Sequence, residues 1–397
     1  MLNRYIPPTA LSLLLFTLAI SPASLYPFAG QKGAEAPQFA FWYEGWQENT
    51  WDKLQPANVI IGVIGVPAKV VTDIHAHGGR ALAYVTFYQA VLGREFVHDR
   101  TDLEVVGFHT PDGFLPSAFG GKDNYVLCSN SAELRRRILA YVDRTIGAEG
   151  YDGLFVDNSY LPPAAELVCD AKHEHVAPGS KGGPAYIDLL SEVYAAVKKR
   201  KPAAIIVTNS GNPRVADQLH TGNKTLWDVS DFVLWESYGY SSLLGKGHDR
   251  WQATIAQSKD VSSSPHAQKV LALAYPRDAK EALYSFAIAR AFGFAFAANL
   301  GESDYQSDRE GGHFGIFLRD LPVALGVPEP AADQQRSPGV LTRRFSQGEV
   351  VANTASAPWS FKVSRNSVLY SPAGRSEVKA GKQVTVSPGT AVALLFR

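Results

Sequence analysis

The sequence predicts a parallel α/β barrel of the (β/α)8, or TIM-barrel, class, followed by a small all-β region. Three observations carry this. Short apolar strands alternate with amphipathic helices from about Gln38 to about Leu300, and the strands number about eight. Those strands are nearly continuous apolar runs, as expected of a parallel sheet covered on both faces. Beyond Gly301 the pattern changes: after a polar loop, a barrel-closing stretch at Phe314 to Leu325 and a Pro/Ala linker at Pro328 to Pro338, Gly339 to Arg397 reads as short alternating runs, several of them separated by Gly and Pro turns. A doubly wound open sheet is the competing architecture. It normally carries a Gly-rich phosphate turn after its first strand, and none stands here.

The elements follow in order. The first strand is read at Gln38 to Tyr43, ending in Glu44-Gly45-Trp46, and the second at Asn58 to Val63. Pro67 opens a helix through His75 that Gly78-Gly79 stops. The third strand is Ala81 to Phe87, and a long loop, Ala90 to Tyr125, follows it. Loops of that length inside a compact domain usually serve function. Ser131 to Ile146 reads as a helix with Leu134, Ile138, Tyr141, Val142 and Ile146 on one face and Arg135, Arg136 and Arg137 mostly outward. Gly150 ends it, and Leu154 to Val156 forms the fourth strand, closing on Asp157-Asn158. After a second long loop, Leu161 to Gly183, Tyr186 to Lys199 is helical. Further strands are Ala203 to Thr208, Phe232 to Trp235, Lys269 to Ala274 and Phe294 to Ala298, with helices near Arg250 to Ser258 and Ala279 to Phe292. The domains expected are a signal peptide over 1–23, a barrel over 38–327, and a β-sandwich-like unit over 339–397 that packs on the barrel's side.

Composition narrows the function. The chain has 397 residues, 46% of them hydrophobic, enough for a large core. A formal net charge of +0 gives no electrostatic case for nucleic acid or an anionic membrane as partner. The N-terminus pairs a weakly basic Asn3-Arg4 with an apolar run, Ala10 to Ile20, and small residues at Ser21-Pro22-Ala23. The run is about half of what a membrane span needs, so it reads as a secretory signal peptide; an N-terminal anchor is the competing reading. Export places the protein in the periplasm or outside the cell, with no membrane insertion after cleavage. In that setting the two cysteines, Cys128 and Cys169, are expected to form one disulfide; two free thiols are the alternative. His173-Glu174-His175 suggests a metal only weakly, because no third partner is in view, and no metal or cofactor is expected.

The chemistry is sought at the C-terminal ends of the strands, where such barrels place it. Asp157 ends the fourth strand and Glu236 follows the sixth. Acids at those two ends line one mouth, within about 5–10 Å of each other, a range that covers the carboxyl spacing of glycosidases. One carboxylate would serve as nucleophile or charge stabiliser and the other as general acid/base. Trp235 and Tyr238 would give Glu236 an apolar wall, while Asn158 and Asn209 would donate hydrogen bonds to Asp157 or to a sugar hydroxyl. Glu44, Tyr88, Tyr275 and Asn299 stand at other strand ends as substrate-binding candidates, and Trp42, Trp46, Trp235 and Tyr240 as stacking platforms. The competing reading is that each acid caps a helix or pairs with an arginine. Asp152, ahead of the strand, belongs to the opposite face or a cap. His75-Ala76-His77 also points away from the mouth. No Gly-x-Ser-x-Gly elbow, Walker loop or His-Glu-x-x-His occurs, so the serine hydrolase, nucleotide hydrolase and zincin readings lack their anchors.

Tyr151-Asp152-Gly153-Leu154-Phe155-Val156-Asp157-Asn158 resembles the fourth-strand signature of exported TIM-barrel glycosidases. That group takes in hypothetical glycosyl hydrolase families and endo-α-1,4-polygalactosaminidase-like enzymes. The stretch from Arg343-Arg344-Phe345 to Asn353, with its turn at Gly348, is similar to the first hairpin of their small C-terminal β-domain. The resemblance implies Asp157 as one catalytic carboxylate and Glu236 as its partner by strand position. The expected function is therefore hydrolysis of O-glycosidic bonds in a polysaccharide or oligosaccharide. The alternatives are a carbohydrate-binding barrel without catalysis, as in an exopolysaccharide system, and a cell-envelope scaffold.

Overall fold

Eight short strands form one parallel sheet: β1 (Phe39–Trp42), β2 (Val59–Gly62), β3 (Arg80–Thr86), β4 (Gly153–Asp157), β5 (Ile205–Asn209), β6 (Phe232–Trp235), β7 (Val270–Ala274) and β8 (Ala295–Ala298). Each pairs with the next in chain order, and β8 returns to lie beside β1. The computed structural model describes residues 37–42, 51, 57–62, 67–118, 123–159, 164–239, 248–276, 278–298, 325–329 and 335–397. The expected signal segment, Glu44, Trp46, Tyr240 and Asn299 lie outside them, as does the side chain of Trp42.

Aromatic rings fill the barrel. Phe39 meets Phe232 edge-on at 5.1 Å and Phe41 meets Phe155 at 5.3 Å, while Tyr84 stacks on Phe155 at 5.5 Å. Contacts from β1 to β4 and β6 require the sheet to curl on itself, because neighbouring strands alone would keep these rings apart. The interior is thus packed with side chains, as is usual in such barrels.

The helices are α1 (Ala68–Ala76), α2 (Arg100–Val106), α3 (Ala132–Val142), α4 (Gly182–Arg200), α5 (Pro213–Gln218), α6 (His248–Ser262) and α7 (Ala279–Ala291); all but α2, which lies inside the expected long loop, and α5 sit where the apolar periodicity puts them. Ser131 caps α3 by accepting from the Leu134 N–H at 3.1 Å. Arg135 departs from the outward placement expected of it. It is buried, donating to the carbonyls of Ser129 and Ala185 and pairing with Glu192 on α4 at 2.5 Å. The long loop after β3 is itself built, with a strand pair (89–91 with 124–126), helix α2, and a small hairpin at 109–114.

The end of the barrel opposite the mouth is tied by Asp152. Its carboxylate accepts from the Ala81 N–H at 2.8 Å, meets His75 Nε2 at 2.7 Å, and pairs with Lys201 Nζ at 2.6 Å. One buried side chain thereby joins α1, β3 and the end of α4, which agrees with its expected place away from the chemistry. Gly153 follows because a Cβ there would stand 1.8 Å from the Ile205 carbonyl oxygen, at a φ of 152°.

Beyond the barrel, the strands are antiparallel: β9 (Gln335–Ser337), β10 (Val340–Phe345), β11 (Gly348–Asn353), β12 (Trp359–Lys362), β13 (Ser367–Ser371), β14 (Gly374–Val378), β15 (Gln383–Val386) and β16 (Thr390–Phe396). Six form a sheet in the order β9-β10-β11-β16-β13-β14, and β12 pairs with β15. Valines 340, 351, 363, 378, 384, 386 and 392 with Leu394 make their core. The hairpin β13–β14 carries no clear sequence signal, because Gly374 to Glu377 are exposed and polar. Helix α7 is buried from Glu281 to Ala291 and packs against β11 and β16 on one side and β7 and β8 on the other. A helix covered all round reads apolar all round, and it is the surface on which the β-region docks.

Replacing Asp152 by Ala leaves the Ala81 N–H and Lys201 without their shared acceptor. It should lower unfolding stability by about 2–4 kcal/mol in a urea titration, with the mouth of the barrel unchanged.

Candidate active site

Register brings three polar side chains together. Thr86 of β3 pairs with Asp157 of β4, and Leu234 of β6 pairs with Asn209 of β5. Because side chains alternate along a strand, Glu236, two residues past Leu234, returns to the same inward face. Asp157, Asn209 and Glu236 therefore meet at the C-terminal end of the barrel.

The amide of Asn209 sits between the two acids. Its Nδ2 donates to Asp157 Oδ1 at 2.8 Å and to Glu236 Oε2 at 3.0 Å. Its Oδ1 accepts from the Gly211 N–H at 2.8 Å, which fixes the amide's orientation and leaves both N–H bonds for the carboxylates. Asn209 is buried. On the far side of each acid stands a tyrosine. Tyr84 donates its hydroxyl to Asp157 Oδ2, and Tyr275 donates to Glu236 Oε1 at 2.9 Å. Asn158 Nδ2 adds a longer contact to Asp157 Oδ2 at 3.4 Å. Among the described residues, neither acid forms a salt bridge.

The backbone after each acid is unusual in the same way. Asn158 has φ 55° and Ser237 has φ 60°, and they are the non-glycine residues with positive φ among those described. Such conformations cost of order 1–3 kcal/mol and cluster at functional sites. They turn the chain sharply away once the carboxylate is in place. The turns are secured by Ser159 N–H donating to the Asn209 carbonyl at 2.7 Å and Glu236 N–H donating to the Gly211 carbonyl at 3.1 Å.

Several expected pocket residues lie elsewhere. Trp235 and Tyr238 do not wall Glu236. The indole is the outward neighbour of Glu236 on the strand and packs 4.9 Å from the Tyr238 ring, and both rings contact Phe294. Tyr238 is fully buried with its hydroxyl 3.0 Å from Ser258 of α6. Strand alternation turns the indole to the other side of the sheet, and the left-handed turn at Ser237 carries Tyr238 away from the acid. Tyr88 is likewise 1% exposed, and burial pushes its hydroxyl up to about 12, so it supports the loops rather than meeting a ligand. Asp157, Asn158, Asn209, Glu236 and Tyr275 are brought together as anticipated. Tyr84 and Gly211 were missed. A signal for Tyr84 existed, since it is the one large side chain among Ala81-Leu82-Ala83 and Val85-Thr86 and shares the inward parity of Thr86.

The cysteines need a correction. Cys128 and Cys169 are neighbours, as expected from the loops that carry them, yet they are free, buried thiols and not a disulfide.

Against known proteins, no family model matches the chain, and no curated protein matches it in sequence. Solved structures do share its fold. Amy13B of Eubacterium rectale superposes with a TM-score of 0.57 at 11% identity, covering 91% of this chain and 97% of that one. The cyclic α-maltosyl-(1→6)-maltose hydrolase of Arthrobacter globiformis gives 0.54 at 14% identity, covering 88% of each chain. The α-amylase of Geobacillus thermoleovorans, in complex with acarbose, gives 0.52 at 12% identity over 91% of this chain and 98% of that one. The likeness runs through barrel and C-terminal sheet alike, which establishes the TIM-barrel architecture with its β-appendage.

Asn209→Asp would put three carboxyl groups where one amide now separates two. The variant should lose about 1–3 kcal/mol of stability at neutral pH. Its clustered carboxyls would bind protons more readily folded than unfolded, so that deficit should shrink as pH falls below about 5. Urea titrations across pH, against the parent, read this directly.

Proposed function

We propose that this chain is a glycoside hydrolase acting on a polysaccharide or oligosaccharide, with Asp157 and Glu236 as its catalytic pair. The observation that carries the reading is the single Asn209 nitrogen donating to both acids at 2.8 and 3.0 Å. Two oxygens held by one nitrogen lie about 5–6 Å apart at most, the short spacing of retaining rather than inverting enzymes. Asp157, which ends the fourth strand and accepts from Asn209 on one oxygen and from Tyr84 and Asn158 on the other, takes the nucleophile's part, attacking the anomeric carbon. Glu236, reached from the other side by Tyr275, gives its proton to the leaving oxygen and afterwards takes one from the incoming water. Atoms balance over the two steps: a glycosyl ester forms on Asp157, and water cleaves it.

Other support is indirect. The fold is shared with an α-amylase and a maltosyl-maltose hydrolase, and the fourth-strand motif resembles exported glycosidases. The same resemblance and the apolar N-terminal run favour an exported protein, with a barrel spanning 38–327 and a β-unit over 339–397. Among the described residues, no helix is long and apolar enough to cross a membrane. The binder and scaffold readings gain nothing specific, since a site built only to hold sugar has no need to place two acids about one amide.

Asp157→Asn and Glu236→Gln should each lower turnover by about 10²–10⁴-fold, with circular dichroism and unfolding midpoint close to the parent. The measurement is product release from a panel of bacterial and plant polysaccharides, with NMR of the first-formed anomer. Parent-like turnover by both variants ends the assignment, and an inverted anomer ends the nucleophile role of Asp157.

A further inference from the structure

A second cluster of chemistry-bearing side chains lies outside the carboxylate site. Cys128 precedes α3, and Cys169, His173 and His175 stand in the loop between β4 and α4. One ligand atom from each of the four lies within 4.8 Å of the other three. Both thiols are buried. His173 Nε2 and His175 Nε2 are buried without a hydrogen-bond partner, an expensive state for an imidazole nitrogen. His173 Nδ1 lies 3.2 Å from the Glu104 carbonyl oxygen. A carbonyl can only accept, so Nδ1 carries the proton and the Nε2 lone pair is turned into the cluster. That is the usual backbone support of a metal-bound histidine. The His109 N–H points at Cys169 Sγ at 3.4 Å, a contact that favours a thiolate.

We propose that Cys128, Cys169, His173 and His175 form a structural Zn²⁺ site. Two thiolates and two imidazoles are the donor set that closes a tetrahedral zinc with no open position, and soft sulfur argues against calcium or magnesium. Bonds of about 2.0–2.3 Å would need the ligand atoms roughly 3.3–3.8 Å apart, so small side-chain rotations suffice from the present spacing. The sequence hid the site because Cys128 is distant in the chain from the other three. The backbone already joins the two segments: Ala132 N–H donates to the Glu174 carbonyl at 3.0 Å, Val176 N–H to the Asn130 carbonyl at 2.9 Å, and Asn130 Nδ2 to the Ala177 carbonyl at 2.6 Å. The metal would clamp the excursions that follow β3 and β4, the strands carrying Tyr84 and Asp157. Its role is to hold those loops, and no step of the proposed hydrolysis passes through it.

The test uses the full-length protein purified under reducing conditions. Metal analysis should find one zinc per chain. After chelation, Co²⁺ should bind with the intense visible bands of a tetrahedral site and a thiolate charge-transfer band, and chelation should lower the unfolding midpoint. Cys169→Ser and His173→Ala should each cut retained metal to below about a tenth of an equivalent, while His77→Ala, on α1, retains it. The Co²⁺ spectrum is read on the parent, so a variant that fails to fold leaves the result intact. Absence of zinc together with no thiolate band from Co²⁺ overturns the proposal. So does a Cys128–Cys169 disulfide in the protein as isolated, seen as a loss of two hydrogens in the intact mass and two missing thiols, because the same sulfurs cannot serve both.

Discussion

The arrangement depends on one buried amide. Two carboxylates at the end of a barrel repel each other and attract water; left alone they would separate or be neutralised. Asn209 resolves this by donating one N–H to each, and the Gly211 N–H keeps the amide from flipping. A lysine at that place would neutralise charge, and an aspartate would add to it. A neutral donor spaces the acids without adding a charge of its own. The tyrosines at the outer oxygens complete a line from Tyr84 through Asp157, Asn209 and Glu236 to Tyr275, drawn from β3, β4, β5, the end of β6 and the end of β7.

That line exists only because the barrel closes. Each strand contributes one group at its end, and the strands are far apart in the chain. The aromatic interior, Phe39 against Phe232 and Phe41 against Phe155, fills the space beneath the site, so the polar groups have nowhere to sink. The opposite end is pinned by Asp152, which fixes the strand whose other end carries Asp157. Asp152 and Asp157 thus stand at opposite ends of one strand, the first in the tie that pins it and the second in the proposed site, the usual partition in this architecture.

The positive φ values at Asn158 and Ser237 fit the same logic. A strand that continued past its acid would carry the backbone up through the mouth. The sharp left-handed turn removes it, at a cost that the surrounding hydrogen bonds of Ser159 and Glu236 offset. The β-appendage contributes to the other flank, where α7 is buried between two sheets and can no longer serve as a solvent-facing barrel helix.

The sequence by itself determined the strand-helix alternation, the barrel class, the β-rich C-terminal region and the two acids, because these follow from periodicity and from a charged residue ending an apolar run. It named Asn209 and Tyr275 as strand-end groups but not what they bridge. Trp235 and Tyr238 misled, since closeness in sequence to Glu236 suggested closeness in space, while the strand's alternation sends the indole outward and the turn at Ser237 takes the tyrosine to α6. Tyr84 reaches Asp157 across strands, Gly211 matters through the orientation it gives Asn209 and the Glu236 N–H it accepts, and the four-residue cysteine–histidine cluster joins two separate loops, so none of these could be read from a local pattern. Only the closing of the sheet decided these, because distance between chain-remote side chains is fixed by register and curvature, and no local pattern encodes it.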